Sequence, residues 1–65
     1  MHVIVNGRQT DIAATNLDRL LDELDYDDTY VAVAVNAEVV SRARWADTRL
    51  ESGDQIEIIT PRQGG

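Results

Sequence analysis

Two kinds of hydrophobic spacing divide the chain and predict its elements. From His2 to Asn6 the chain is rich in β-branched apolar residues, which is typical of a strand, and Asn6-Gly7 then ends the run. Asn-Gly between two strand-like runs is a strong hairpin signal, because a type I′ turn needs positive φ at both central positions. We therefore expect residues 8–12 to return as the second strand of a hairpin.

The next segment has the spacing of an α-helix. Four leucines fall at i, i+3, i+4 and i+7 and so share one stripe of a helix, namely Leu17, Leu20, Leu21 and Leu24. Thr15 or Asn16 is placed to cap the first turn. A helix of about ten residues is marginal alone, so we expect its leucine stripe to be buried against the strands.

An apolar run follows the helix and predicts a central strand over residues 30–35. Its three valines share one face, and Ala32 and Ala34 lie on the other. The next few residues break the run, and Val39-Val40 resumes it as a short partner strand.

The last third of the chain predicts a loop, a turn and a final strand. Residues 41–47 are expected to be irregular, with Trp45 as a plug at the edge of the core. Residues 52–54 have the composition of a turn, and residues 55–59 alternate again as a strand. The predicted order is β-β-α-β-β-β, which indicates an α+β fold with one helix covering one face of a four- to five-stranded sheet.

Charge and composition exclude several function classes. Twelve acidic residues against six basic ones give a net charge of −6, which argues against nucleic-acid binding and against anionic membranes. There is no cysteine and only one histidine, His2, so neither a disulfide nor a metal site is expected. No acid, base and nucleophile set is available, so we expect no enzyme activity and no catalytic residue. No apolar run reaches the roughly 20 residues needed to cross a bilayer, and we expect a cytoplasmic protein.

The end of the chain is the candidate reactive segment. We expect residues 1–60 to form the domain and residues 61–65 to form a flexible tail that ends in Gly64-Gly65. Neither glycine has a Cβ, so the backbone there can enter a slot that other residues would block. Arg62 offers a fixed positive charge for carboxylates of a partner.

The order of elements and several short motifs resemble one family. A hairpin, a helix across it, further strands and a Gly-Gly end are typical of the β-grasp, or ubiquitin-like, fold. The chain resembles the ThiS family, the sulfur carrier proteins of thiamine thiazole synthesis, at 31–36, Val39-Val40, Arg42, Trp45, Leu50, Gly53-Asp54, 56–58 and Gly64-Gly65. It departs from that family at Ala37, where a turn residue such as glycine is common, and at Ser41, where proline is frequent.

The resemblance implies a carrier rather than an enzyme. In this family a ThiF-type adenylyltransferase, related to ubiquitin-activating enzymes, uses ATP to adenylate the terminal carboxylate. Sulfur from a cysteine desulfurase pathway then replaces AMP, and a ThiG-type thiazole synthase takes it from the thiocarboxylate. By this resemblance Gly65 bears the sulfur, and Gly64, Gln63 and Arg62 thread the tail into the partner. ATP is consumed by the activating enzyme, and no bound cofactor is expected.

Alternation also predicts a surface for these partners. If Val3, Val5, Ile56 and Ile58 pack on the helix, the opposite face of the sheet carries Ile4, Ala32, Ala34 and Ile59. A cluster of apolar residues on an open sheet face is a candidate docking surface.

Three other functions fit the same pattern. The small subunit of molybdopterin synthase is also a sulfur carrier with this fold and tail. A ubiquitin-like protein modifier would be joined to lysines of its targets, although this chain has no lysine on which to build chains of itself. A plain interaction domain would carry the Gly-Gly end incidentally.

Overall fold

The computed structural model of the protein describes residues 1–26 and 29–60. Within that part of the chain, the elements follow the predicted order, with one 3₁₀ helix added. They are β1 (His2–Val5), β2 (Arg8–Asp11), α1 (Leu17–Glu23), β3 (Ala32–Val35), β4 (Glu38–Val40), the 3₁₀ helix (Arg42–Asp47) and β5 (Gln55–Ile59).

The five strands form one mixed sheet in the order β2-β1-β5-β3-β4. Pairing is antiparallel throughout, except that β1 and β5 run parallel. β3 is an interior strand between β5 and β4, as the apolar run at 30–35 predicted, but it begins only at Ala32, and β5 rather than β3 occupies the middle of the sheet. The apolar run predicted burial of β3, but sequence alternation holds no information on which strands become neighbours.

Both hairpins turn through two residues with positive φ. Asn6 (φ 52°) and Gly7 (φ 82°) form the predicted turn between β1 and β2. Asn36 (φ 51°) and Ala37 (φ 71°) repeat this geometry between β3 and β4, where the sequence predicted only a break. Ala37 therefore adopts the left-handed conformation that glycine would adopt at this turn position, although the Cβ of alanine makes this conformation unfavourable.

The helix is short and is fixed at both ends by side chains. Asn16, rather than Thr15, is the N-cap, and its Oδ1 accepts a hydrogen bond of 2.8 Å from the backbone N–H of Arg19. At the other end, the Glu23 carboxylate accepts hydrogen bonds from the backbone N–H groups of Ala13 and Ala14. The helix has 7 residues instead of the ten expected, and Leu24 lies at its C-cap.

The core lies between α1 and one face of the sheet. Its buried members are Val3, Val5, Ile12, Ala14, Leu17, Leu20, Leu21, Val33, Trp45, Leu50, Ile56 and Ile58. Leu24 and Val35 pack against this cluster but are only partly buried. Three leucines of the predicted stripe, Leu17, Leu20 and Leu21, are thus buried as predicted, whereas the fourth, Leu24, is buried only in part.

The segment expected to be irregular forms the 3₁₀ helix. Its Trp45 is buried in the core, and the indole Nε1–H donates a hydrogen bond of 3.0 Å to the carbonyl oxygen of Val40. This bond joins the 3₁₀ helix to the end of β4. Neither helix in residues 1–26 and 29–60 has the length and apolar character needed to span a bilayer.

Candidate functional site

The central strand β5 leads directly to the proposed reactive tail. β5 is hydrogen-bonded to β1 on one side and to β3 on the other, and it ends at Ile59. Four predicted tail residues, Arg62, Gln63, Gly64 and Gly65, lie outside the described residues, so their roles stay predictions. The part of the site that the structure describes is the end of β5 and the surface around it.

The turn residue Asn6 holds the end of β5 that precedes the tail. Its backbone N–H donates to the Ile56 carbonyl oxygen at 2.8 Å. Its side chain makes two hydrogen bonds to the backbone of Ile58, further along β5. Oδ1 accepts from the Ile58 N–H at 2.8 Å, and Nδ2 donates to the Ile58 carbonyl oxygen at 3.2 Å. Since β1 ends at Val5, the Asn6 side chain takes the place of the missing backbone partner.

The corresponding residue of the second hairpin, Asn36, holds the other end of β5. Its backbone N–H donates to the Gln55 carbonyl oxygen at 2.7 Å, and its Oδ1 accepts from the Gln55 N–H at 3.0 Å. Its Nδ2 also donates to the Asp54 carboxylate at 3.1 Å. The two turn asparagines therefore fix β5 at both ends, a role that the sequence pattern, which marked Asn6 only as a turn residue, did not reveal.

One face of the sheet is covered by α1, and the opposite, open face carries an apolar patch. Residues directly opposite each other in neighbouring strands lie on the same face. The register pairs Ala32 with Ile59 and Ala34 with Val39, so these four residues form one group, which we call the apolar patch. Val39 and Ile59 are 79% and 57% exposed.

The structure brings three of the four predicted docking residues together and separates the fourth. Ala32, Ala34 and Ile59 are in the apolar patch, beside the last residues of β5. Ile4 is on the same face, but it lies in β1 opposite Gln55. Gln55 is four residues before Ile59 in β5, so Ile4 and Ile59 are separated by about 13 Å along the strand direction. Alternation identified the face correctly but not the position along it.

Val39 belongs to the apolar patch and was not among the predicted docking residues. The sequence assigned it only to a short partner strand. Its pairing with Ala34 would have been the signal, but that pairing depends on the two-residue turn at Asn36 and Ala37. Because alanine seldom adopts positive φ, a two-residue turn was not expected at this position.

One acidic residue of β5, Glu57, lies beside the apolar patch. Glu57 is exposed on the open face, opposite Ala34 and two residues before Ile59. Among the described residues, no group of three or more histidine, aspartate and glutamate side chains is arranged to hold a metal ion. The described part of the site therefore offers a surface for contact.

The chain is similar to known proteins in both sequence and structure. The family model described as the ThiS family matches residues 3–65. The sulfur carrier protein ThiS of Escherichia coli (strain K12) is 32% identical over 66 residues, which cover 100% of both chains. A thiazole synthase of Paramagnetospirillum magneticum (strain ATCC 700264 / AMB-1) is 33% identical over 66 residues, but the chain spans only 20% of that relative.

Two solved structures are similar over the whole chain. A crystal structure of the thiamine biosynthesis protein ThiS from Geobacter metallireducens has a TM-score of 0.86 at 30% identity, with 100% of each chain covered. A solution structure of a thiamine biosynthesis protein from the same organism has a TM-score of 0.82 at 30% identity and is covered over 88% of its length.

Proposed function

Because the chain belongs to the ThiS family and has its ubiquitin-like β-grasp fold, we propose that it is a sulfur carrier of thiamine biosynthesis whose Gly65 carboxylate is converted to a thiocarboxylate. The observation that supports this most directly is the match to a sulfur carrier protein over the full length of both chains. The position of β5 adds support, because a strand held at both ends presents the tail from a fixed point.

The chemistry requires activation of a terminal carboxylate. That group is ionised at neutral pH, and a carboxylate anion is a poor target for a nucleophile. A ThiF-type adenylyltransferase would join a carboxylate oxygen to the α-phosphorus of ATP and release pyrophosphate. The mixed anhydride then has AMP as its leaving group. Catalytic groups for this step come from the activating enzyme, which must surround the reacting carbonyl with charge-stabilising donors.

Sulfur transfer follows from the same anhydride. A persulfide supplied by a cysteine desulfurase attacks the carbonyl carbon, and AMP leaves. The new bond joins carbon to the terminal sulfur and gives an acyl disulfide. A thiol then attacks the other sulfur, so that the S–S bond of the former persulfide breaks, a disulfide with the thiol forms, and the terminal sulfur remains on the glycine as a thiocarboxylate. The side-chain-free Gly64-Gly65 end suits this step, since a tail without Cβ atoms can pass through a narrow channel.

We also propose that the apolar patch docks on the partners. A carrier without its own catalytic groups must place its tail by surface contact, and the patch lies beside the end of β5 from which the tail departs. Of the predicted docking residues, Ala32, Ala34 and Ile59 form this surface together with Val39. Ile4 lies apart and would contact only a partner that extends across the sheet.

A ThiG-type thiazole synthase is the proposed acceptor of the sulfur. This is supported by the thiazole synthase of Paramagnetospirillum magneticum, one fifth of which is similar to this whole chain.

Intact-mass analysis tests the proposal. The protein is incubated with ATP, a persulfide donor, a thiol and its cognate adenylyltransferase, and we expect a mass change in which sulfur replaces one oxygen. A variant that lacks Gly64 and Gly65 is the control and should keep its original mass. The loaded protein is then given separately to thiazole synthase and to the large subunit of molybdopterin synthase. Failure to gain sulfur, or transfer only to the second enzyme, would refute the proposal.

A further inference from the structure

One acidic side chain, Glu57, borders the apolar patch. It is in β5, opposite Ala34 and next in line to Ile59 on the same face. No described residue forms a side-chain hydrogen bond or ion pair with it. A contact surface that covers the patch would therefore also cover an unpaired carboxylate.

Within the five strands, the open face carries no arginine. Its charged residues are Glu57 and, at the far edge on β2, Asp11, which lies near His2 at 3.9 Å. The single arginine of the strands, Arg8, is opposite the buried Val5 and so belongs to the face that α1 covers. The docking surface is thus apolar and acidic, with no positive charge of its own in the strands.

This combination restricts what can cover the patch. Removing water from an unpaired carboxylate is costly unless a cation compensates it. A second copy of the chain is unsuitable, because each copy carries a net charge of −6 and its open face would bring acidic groups together. A partner that has an apolar surface around one basic side chain fits both features.

We propose that the adenylating enzyme docks on the apolar patch with a basic side chain that pairs with Glu57. Arginine suits this position best, because its planar guanidinium can bind a carboxylate through two parallel hydrogen bonds. The inference rests on the proposed carrier function and adds the chemistry of the partner surface. Glu57 is then a specificity residue, since its burial against a neutral apolar surface costs desolvation energy and an acidic surface repels it.

Three variants test the pairing by the kcat/KM of adenylation, measured as pyrophosphate release. Glu57→Gln keeps the shape and removes the charge, and Glu57→Arg reverses it. Glu51→Arg is the matched control, because it changes the net charge equally in an exposed loop that precedes β5, at the end of the strand away from the tail. Circular dichroism and urea unfolding of each variant exclude loss of the fold as the cause.

We expect Glu57→Gln to lower kcat/KM by about 30-fold and Glu57→Arg by about 100-fold or more, as for loss or reversal of one partner in a desolvated charge pair. Glu51→Arg should stay within about twofold of the unchanged protein, as is usual for an exposed charge away from an interface. Added salt should reduce the difference between the unchanged protein and Glu57→Gln. An acidic substitution of one basic residue of the enzyme should restore activity with Glu57→Arg.

The outcomes separate two failures. If the unchanged protein is not adenylated at all, the proposed function is wrong and the inference is wrong with it. If it is adenylated and both Glu57 variants match it, the pairing with Glu57 is wrong while the carrier function stands. Equal losses in Glu57→Arg and Glu51→Arg would likewise overturn the pairing, because they would show an effect of net charge alone.

Discussion

Replacing Asn6 with glycine would test whether a side chain holds the strand from which the tail departs. Glycine adopts the positive φ of this turn without steric strain, so the substitution removes the side chain and retains the turn. Two partly buried hydrogen bonds are lost, of 2.8 Å and 3.2 Å, both to the backbone of Ile58. At about 0.5–1.5 kcal/mol each, we expect the free energy of unfolding to fall by about 1–3 kcal/mol.

Asn36→Gly is the matched control for this prediction. It also removes two side-chain hydrogen bonds from a turn with positive φ, but at the end of β5 away from the tail. These bonds are exposed, so the loss of stability should be at the lower end of the same range. Only Asn6→Gly should lower the kcat/KM of adenylation, because only this substitution removes the hydrogen bonds to Ile58, near the end of β5 that precedes the tail.

Urea unfolding, amide hydrogen exchange and adenylation kinetics together decide the question. In Asn6→Gly we expect the Ile58 amide to exchange faster, while in Asn36→Gly the Gln55 amide does so. Unchanged protection of the Ile58 amide would show that the Asn6 side chain does not hold β5. Equal effects of the two substitutions on adenylation would show that only global stability matters.

Three further substitutions have expected outcomes. Ala37→Gly should raise the free energy of unfolding by about 0.5–1 kcal/mol in urea, because relief of the left-handed strain exceeds the added freedom of glycine in the unfolded chain; a loss of stability would contradict the strained turn. Trp45→Phe should lower it by about 2 kcal/mol, since the hydrogen bond to the Val40 carbonyl and part of the buried ring surface are lost; an unchanged urea midpoint would show that this bond contributes nothing. Ile59→Asp should leave the urea midpoint nearly unchanged, because Ile59 is 57% exposed, yet lower the kcat/KM of adenylation by about tenfold or more. The control is Gln9→Asp, which adds the same charge on the open face away from the apolar patch and should leave kcat/KM unchanged. An unchanged kcat/KM in Ile59→Asp would contradict the docking proposal.

Local signals in the sequence were sufficient for most of the fold. The Asn6-Gly7 turn and the leucine stripe each depend on residues close together in the chain, and both were predicted correctly. The segment around Trp45 was wrongly expected to be irregular, because a short 3₁₀ helix has no hydrophobic period long enough to detect. The turn at Ala37 was missed because it uses a residue that seldom adopts this conformation.

The candidate site depended on pairings that are distant in the chain. Ile4 was grouped with Ile59 because alternation assigns a face, whereas the parallel register of β1 and β5 sets how far apart they lie. Val39 was missed because its position beside Ala34 depends on the register of β3 and β4, which the turn at Asn36 and Ala37 sets. The bond between Asn6 and Ile58 spans 52 residues, and no local pattern indicates it.

The strict alternation of β5 makes the length of this strand as important as its composition. Ile56 and Ile58 point into the core, while Glu57 and Ile59 point to the open face. A single residue inserted between Glu57 and Ile58 would move each following side chain to the other face of the sheet. Ile58 would then be exposed on the open face, and Ile59 would leave the apolar patch and point towards the core. Lengthening of this protein is therefore tolerable in its loops and not in its last strand.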